Sequence, residues 1–229
     1  GRFSHFIKSF AYHTAHGRAL PTAIGVKAAN PNLHVFVVGG DGDGLSIGGG
    51  HLPHAARRNP DLTYLILDNA VYGLTKGQSS PTSPFGMVTG TTPFGLEDPP
   101  LDPLRMFLSY GISFVARGFS SDVKGTARLV QAAVEHKGFS LLELISPCPT
   151  FNQIITFDFM KERVVPIPET HDPTDLDAAF RLALDKDRYY TGVFYPNPGL
   201  ATMEEKLEHQ RKLTMDKQAR TLETLFAQF

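Results

Sequence analysis

Cysteine is almost missing: one residue in 229. A single thiol cannot close an internal disulfide, so a disulfide-stapled secreted scaffold is excluded and a reducing compartment fits. No excess of either charge exists. Lysine and arginine total 22 against 23 aspartates and glutamates, a formal net charge of −1. That balance offers no basic stripe for nucleic acid and no attraction to an anionic membrane surface. No apolar run approaches the roughly 20 residues a transmembrane helix needs. The first ten residues carry Arg2, His5 and Lys8 without a long apolar segment, which argues against a signal peptide. The expectation is a cytoplasmic protein with no membrane and no nucleic acid among its partners. Hydrophobic residues make up 41% of the chain, enough to build the core of one large domain, or of one domain with a C-terminal extension.

The chain is organised around residues 35–78. Val35–Val38 is a β-branched apolar run ending at Gly39-Gly40, the pattern of a buried parallel strand meeting a loop. Gly40-Asp41-Gly42-Asp43-Gly44 follows, then a helix-like stretch over Ser46–Arg58, then a second buried strand, Leu62–Leu67, ending at Asp68-Asn69. This is a βαβ unit, and such units bring the carboxyl ends of both strands to one ligand-binding edge. Asp41 and Asn69, 28 residues apart in sequence, should meet there. One carboxylate and one amide oxygen beside a glycine loop suit Mg²⁺ that keeps phosphate oxygens in its sphere. A main-chain carbonyl near Val71 would complete the set. The glycines let backbone N–H groups close on phosphate, and the following helix points its positive end the same way. The Asp41–Asp43 pair does not extend to a Ca²⁺ loop of the EF-hand kind, because Leu45 and Leu52 occupy ligand positions.

GDG followed at this interval by Asn resembles the thiamine-diphosphate motif. The longer strings HGRALP, GDGDGLSIGGGH and NAVYGLTKGQSSPT resemble the β subunit of 2-oxoacid:ferredoxin oxidoreductases, most closely the 2-oxoglutarate type. The likeness runs from about Phe3 to Asn152, with a weaker echo at Gly192–Leu200. It implies thiamine diphosphate and Mg²⁺ as cofactors, with Asp41, Asn69 and the Val71 carbonyl on the metal. His16, Gly42, Asp43, Gly73 and Leu74 would line the cofactor. Lys76, with Leu74 and, less directly, Arg2, would face the substrate, Lys76 being suited to the distal carboxylate of 2-oxoglutarate that pyruvate lacks. Cys148, held between Pro147 and Pro149, would be one ligand of a [4Fe–4S] cluster. Such clusters need four thiolates, and this family usually has three more near its N-terminus. The chain starts without Met inside sequence that already reads as structured, so a truncated N-terminus is expected. The implied reaction is oxidative decarboxylation of a 2-oxoacid with coenzyme A, giving acyl-CoA, CO₂ and reduced ferredoxin. It implies an α subunit in an αβ or (αβ)₂ assembly, and that partner would supply the glutamate that activates the cofactor.

The fold class expected is α/β, a doubly wound and mostly parallel sheet with helices on both faces plus a C-terminal helical extension. Residues 1–150 would form the cofactor domain and 151–229 the extension, which would touch a partner subunit. Ala19–Ala29 reads as a helix closed by Asn30-Pro31, and Ser79–Pro103 as a long ordered loop following the site. Asp102 should cap a helix running from Pro103 to Tyr110. Then come a strand at Ile112–Ala116, a helix from Val123 capped by Ser121 or Asp122, and a strand at Ser140–Ile145. Further on lie a helix at Thr174–Leu184, a short strand at Val193–Tyr195 and a charged helical run over Met203–Phe229, a terminal arm or surface helix. His51 and His54 sit three apart around Pro53 with no third ligand in sight, so packing or a contact between subunits is the expectation there. Two other classes compete. One is a cluster-free thiamine decarboxylase or synthase, though those typically hold both thiamine domains in a longer chain. The other is a non-catalytic diphosphate-binding module, against which Asp41, Asn69 and Lys76 argue.

Overall fold

The computed structural model describes residues 3–215. In chain order the main elements are α1 (Ala19–Ala29), β1 (Phe36–Gly40), α2 (Leu52–Arg58), β2 (Leu62–Asp68), α3 (Pro103–Ser109), β3 (Phe114–Phe119) and α4 (Val123–Glu135). After them come β4 (Phe139–Ile145), α5 (Phe157–Lys161), β5 (Val164–Pro166), α6 (Leu176–Ala183), β6 (Tyr189–Pro196) and α7 (Met203–Met215). The six strands form one sheet in the order β1-β2-β4-β3-β6-β5. The first four are mutually parallel, while β6 runs antiparallel to β3 and parallel to β5.

Strand order explains where the helices go. The steps β1→β2 and β2→β3 move one way across the sheet and β3→β4 moves back. Right-handed crossovers then place α2 and α3 on one face and α4 on the other. On the first face, Leu20, Ala23, Leu52, Ala55, Leu104 and Phe107 pack with α6 over Val37, Tyr64, Ile66, Val115 and Leu141. On the second, Ala133 of α4 covers Leu65, Phe114, Ala116 and Leu142. Alternation along β2 sends Tyr64 and Ile66 to one face and Leu65 to the other, so both faces are covered and the strand reads as mostly apolar.

Several elements differ from the sequence expectation. Ser46–Arg58 is not one helix. A π-turn spans Gly42–Ile47, a 3₁₀ turn spans Gly49–His51, and α2 starts only at Leu52 with Pro53 in its first turn. Three successive glycines, Gly48–Gly50, carry too large a backbone-entropy cost to continue a helix, and Pro53 favours a new start. The strand expected at Ile112–Ala116 begins at Phe114, where pairing with Ser140 starts. Helix α6 is capped by Asp175, which accepts from the Ala178 N–H at 3.0 Å, whereas Asp172 closes a local turn on Thr174. Strand β6 is eight residues long rather than three, and α5 and β5 carry no clear periodic signal. Because β6 pairs with β3, the sheet does not stop at residue 150. Of the terminal run, Met203–Met215 is helical, and Leu222, Leu225 and Phe226 lie outside the described residues.

Asn59 ties the amino edge of the sheet together. At φ +55° it ends α2 in the left-handed conformation. Its Oδ1 accepts from the Phe139 N–H and the Ser113 hydroxyl, both at 2.8 Å. Its Nδ2 donates to the Leu200 and Ala201 carbonyls at 3.1 and 3.3 Å. Asn59→Ala would orphan those groups and put alanine in a disfavoured backbone region. The expected loss is about 2–4 kcal/mol, read from the urea midpoint.

Candidate active site

Strand β1 ends at Gly40 and delivers Asp41 into the π-turn, where the residue is only 2% exposed. Its carboxylate accepts from the Thr82 hydroxyl at 2.9 Å, with the Ser80 hydroxyl and the Asn69 backbone N–H beside it. The carboxyl ends of β1 and β2 therefore bring Asp41 and Asn69 into contact, as the βαβ topology requires. Asp68, the last residue of β2, joins them, because the same Thr82 hydroxyl lies 2.8 Å from its Oδ1. A hydroxyl has one proton and cannot donate to both carboxylates at once. Burial pushes the Asp41 carboxyl above the usual carboxylate range. Burial first, then the charges of Asp41 and Glu143, push the Asp68 carboxyl well above it. Arg117, on the neighbouring part of the sheet, is engaged with Glu143 at 2.8 Å. Neither Asp41 nor Asp68 has an ion-pair partner among the described residues, and buried negative charge of this kind calls for a proton or a cation.

The turn after β2 presents two further oxygens. The Asn69 Oδ1 accepts from the Val71 N–H at 3.1 Å, closing an Asx turn. Ala70 sits at φ +53°, and its carbonyl is held by the Ser83 hydroxyl at 2.7 Å. The Val71 carbonyl receives no hydrogen bond among the described residues. The glycine loop is shaped by two tyrosines. A Cβ on Gly42 would strike the Tyr72 ring, and one on Gly44 would strike the Tyr64 hydroxyl. The Tyr72 hydroxyl in turn donates to the Gly42 carbonyl at 2.9 Å.

Asp43 faces the preceding loop. One of its oxygens lies 2.7 Å from His16 Nδ1 and accepts from the Gly17 N–H at 2.7 Å, which fixes His16 beside the Tyr72 ring. Gly73, Leu74 and Lys76 ride on a short hairpin closed by the Tyr72–Gln78 bridge. Leu74 is 89% exposed, and Lys76 is exposed, at φ +76°. A cleft of about 340 Å³ opens beside this hairpin, lined by Ser46, Tyr72, Ser80, Pro81 and Leu96 among others. Cys148 is half-buried in the turn after β4, and the Ser146 N–H ties that turn to the Asp68 carbonyl at 2.7 Å. Arg2 lies outside the described residues. Thr82, Ser80, Ser83, Asp68 and Asn152 escaped the sequence reading. Ser80 and Thr82 close the string NAVYGLTKGQSSPT and Ser83 follows it, but the reading gave none of the three a role beyond the start of a loop.

Comparisons agree with this geometry. The family model for the thiamine pyrophosphate enzyme C-terminal TPP-binding domain matches residues 2–144, which defines the class: a thiamine-diphosphate enzyme domain. A second model, for the C-terminal part of the pyruvate ferredoxin oxidoreductase beta subunit, matches residues 148–212. The 2-oxoacid:ferredoxin oxidoreductase subunit beta of Saccharolobus solfataricus is 40% identical over 230 residues, covering 94% of this chain and 75% of that one. The 2-oxoglutarate oxidoreductase subunit KorB of Mycobacterium tuberculosis is 44% identical over 171 residues, 72% of this chain and 46% of that one. Among solved structures, the 2-oxoglutarate:ferredoxin oxidoreductase of Magnetococcus marinus, with 2-oxoglutarate, coenzyme A and succinyl-CoA bound, superposes with a TM-score of 0.92 at 43% identity. That match covers 99% of this chain and 78% of that one. The chain belongs to the β subunits of the 2-oxoacid:ferredoxin oxidoreductases.

Proposed function

We propose that this protein holds Mg²⁺ through Asp41, the Asn69 side chain and the Val71 carbonyl, and through the metal holds thiamine diphosphate. The observation that carries this is the pair of uncompensated carboxylates, Asp41 and Asp68, enclosed at one sheet edge beside an unpaired carbonyl. Among the described residues no three His, Cys, Asp or Glu side chains converge on a metal-sized point. One carboxylate, an amide oxygen and a carbonyl nonetheless suit Mg²⁺, which fills its remaining positions with phosphate and water. The tyrosine-packed glycines keep the loop free of side chains where a diphosphate would lie. When bound, thiamine diphosphate supplies the electron sink that lets a 2-oxoacid lose CO₂. The work of this chain is binding and orientation: Gly42, Asp43, Gly73, Leu74 and His16 line the cofactor, and Lys76, with Arg2, meets the acid.

Cys148 provides one thiolate of a [4Fe–4S] cluster, and no second cysteine exists in these 229 residues. The substrate is 2-oxoglutarate. Coenzyme A would take the acyl group, and the cluster, with Cys148 as one of its ligands, would supply the one-electron path to ferredoxin. The activating glutamate comes from the partner α subunit in an αβ or (αβ)₂ assembly, and the exposed arm α7 lies against a partner. No helix of the described residues is long and apolar enough to cross a membrane, and the cytoplasm is the site of action. The test uses the full-length protein co-expressed anaerobically with its α subunit, following reduction of a low-potential acceptor with coenzyme A present. Faster turnover of 2-oxoglutarate than of pyruvate is expected. No reduction by an enzyme loaded with thiamine diphosphate and cluster would return the assignment to cluster-free thiamine enzymes.

A further inference from the structure

Asn152 is 0% exposed, and all its hydrogen bonds go to backbone. Its amide nitrogen donates to the Asn69 carbonyl at 3.1 Å and reaches the Ala70 carbonyl at 3.4 Å. Its amide oxygen accepts from the Ile154 and Ile155 N–H groups at 3.1 and 2.9 Å. With carbonyls on one side and N–H groups on the other, the partners fix which way the amide points. Its own backbone N–H donates to the Cys148 carbonyl at 3.1 Å. One buried residue therefore links the Cys148 turn to the Asn69–Val71 turn. The second turn needs holding, because Ala70 is a non-glycine residue at φ +53°, a conformation disfavoured by roughly 1–2 kcal/mol. With the Asn69 and Ala70 carbonyls pinned, the next one, at Val71, receives no hydrogen bond among the described residues.

We infer that Asn152 is a positioning residue shared by the two cofactor sites. From the Cys148 side it holds the Asn69–Val71 turn in its ligand-bearing conformation, so that filling the metal site is felt at the cluster. This rests on the proposed reading of Asp41, Asn69 and Val71 as the metal site and of Cys148 as a cluster ligand. Neither Thr82 nor Ser83 can serve this way, since both brace the site from the opposite loop.

The informative variant is Asn152→Asp in the full-length enzyme with its α subunit. Aspartate keeps the acceptor for Ile154 and Ile155 and the backbone bond to Cys148, but has no donor for Asn69 and Ala70. Binding of thiamine diphosphate with Mg²⁺, measured by calorimetry, is expected to weaken about tenfold, with iron content unchanged. In the wild type, adding Mg²⁺ and thiamine diphosphate should alter the paramagnetic resonance spectrum of the reduced cluster, and the variant should lose that response. Asn152→Ser, which keeps a short acceptor without adding charge, should behave alike if the aspartate variant does not fold. Wild-type affinity in either variant overturns the inference. So does a cluster spectrum that ignores the loaded metal site in the wild type, or that still responds in the variants. Two controls separate its failure from failure of the underlying reading. Normal cofactor binding by Asp41→Ala, or undiminished iron in Cys148→Ser, would bring down the site assignments first and this inference with them.

Discussion

Asp41→Ala is expected to weaken Mg²⁺-dependent binding of thiamine diphosphate at least a hundredfold, while the ligand-free protein melts close to the wild type. The first half follows from the donor set. Asp41 is the one charged ligand proposed for the metal, and loss of groups that merely support ligands already costs about 10- to 100-fold. The second half follows from the surroundings. Removing the carboxylate takes an acceptor from the Thr82 hydroxyl, which turns to Asp68 instead, and leaves the Asn69 N–H without its charged partner, a modest loss. It also removes a buried negative charge that faces Asp68 across a single hydroxyl proton, which is a gain. The two contributions oppose each other, so the ligand-free protein should change little. Titration calorimetry at fixed Mg²⁺, with thermal melts with and without cofactor, reads both. The wild type should show a cofactor-dependent rise in Tm that the variant lacks. A variant that binds normally would sink the metal assignment. One that melts far lower even without cofactor would show Asp41 to be chiefly a structural carboxylate.

The sequence showed this site only where local pattern and topology coincide. Val35–Val38 and Leu62–Leu67 are largely apolar runs, the first ending at Gly39-Gly40 before Asp41 and the second at Asp68-Asn69, so a βαβ reading alone places Asp41 next to Asn69. The long strings around them then carried the family resemblance. The bracing roles of the groups around those two residues left no such trace, although Ser80 and Thr82 close one of those strings. Thr82 reaches Asp41 across 41 residues of chain, and Asn152 reaches Asn69 across 83. Neither lies in a periodic segment, so nothing local distinguishes them from ordinary loop residues. The π-turn was hidden for a related reason. Its conformation is set by Tyr64 and Tyr72 filling the space above Gly44 and Gly42, which only the assembled sheet reveals. Strand β6 was read short because Gly192, at φ +143°, interrupts the alternation. Its pairing with β3 supplies what propensity does not.

Lys76→Ala is expected to lower kcat/KM for 2-oxoglutarate by about 10- to 100-fold and to leave pyruvate almost unchanged. A hydrogen bond to a charged partner contributes about 1.5–3 kcal/mol, and each 1.4 kcal/mol is about tenfold. Only 2-oxoglutarate carries the second carboxylate that would receive it. The structure supplies a reason to separate charge from backbone at this position. Lys76 stands at φ +76° on the hairpin closed by Tyr72 and Gln78, its side chain exposed and without an ion pair among the described residues. Alanine keeps the Cβ and hence the backbone preference, whereas glycine relieves it. Lys76→Ala and Lys76→Gly should therefore lose selectivity equally although their loops differ in rigidity, and Lys76→Arg should retain most of it. Equal losses on both acids in all three variants would mean that the hairpin, not the ammonium group, matters. An unchanged ratio of the two activities in Lys76→Ala would remove Lys76 from substrate recognition and leave Arg2 as the remaining candidate for the distal carboxylate.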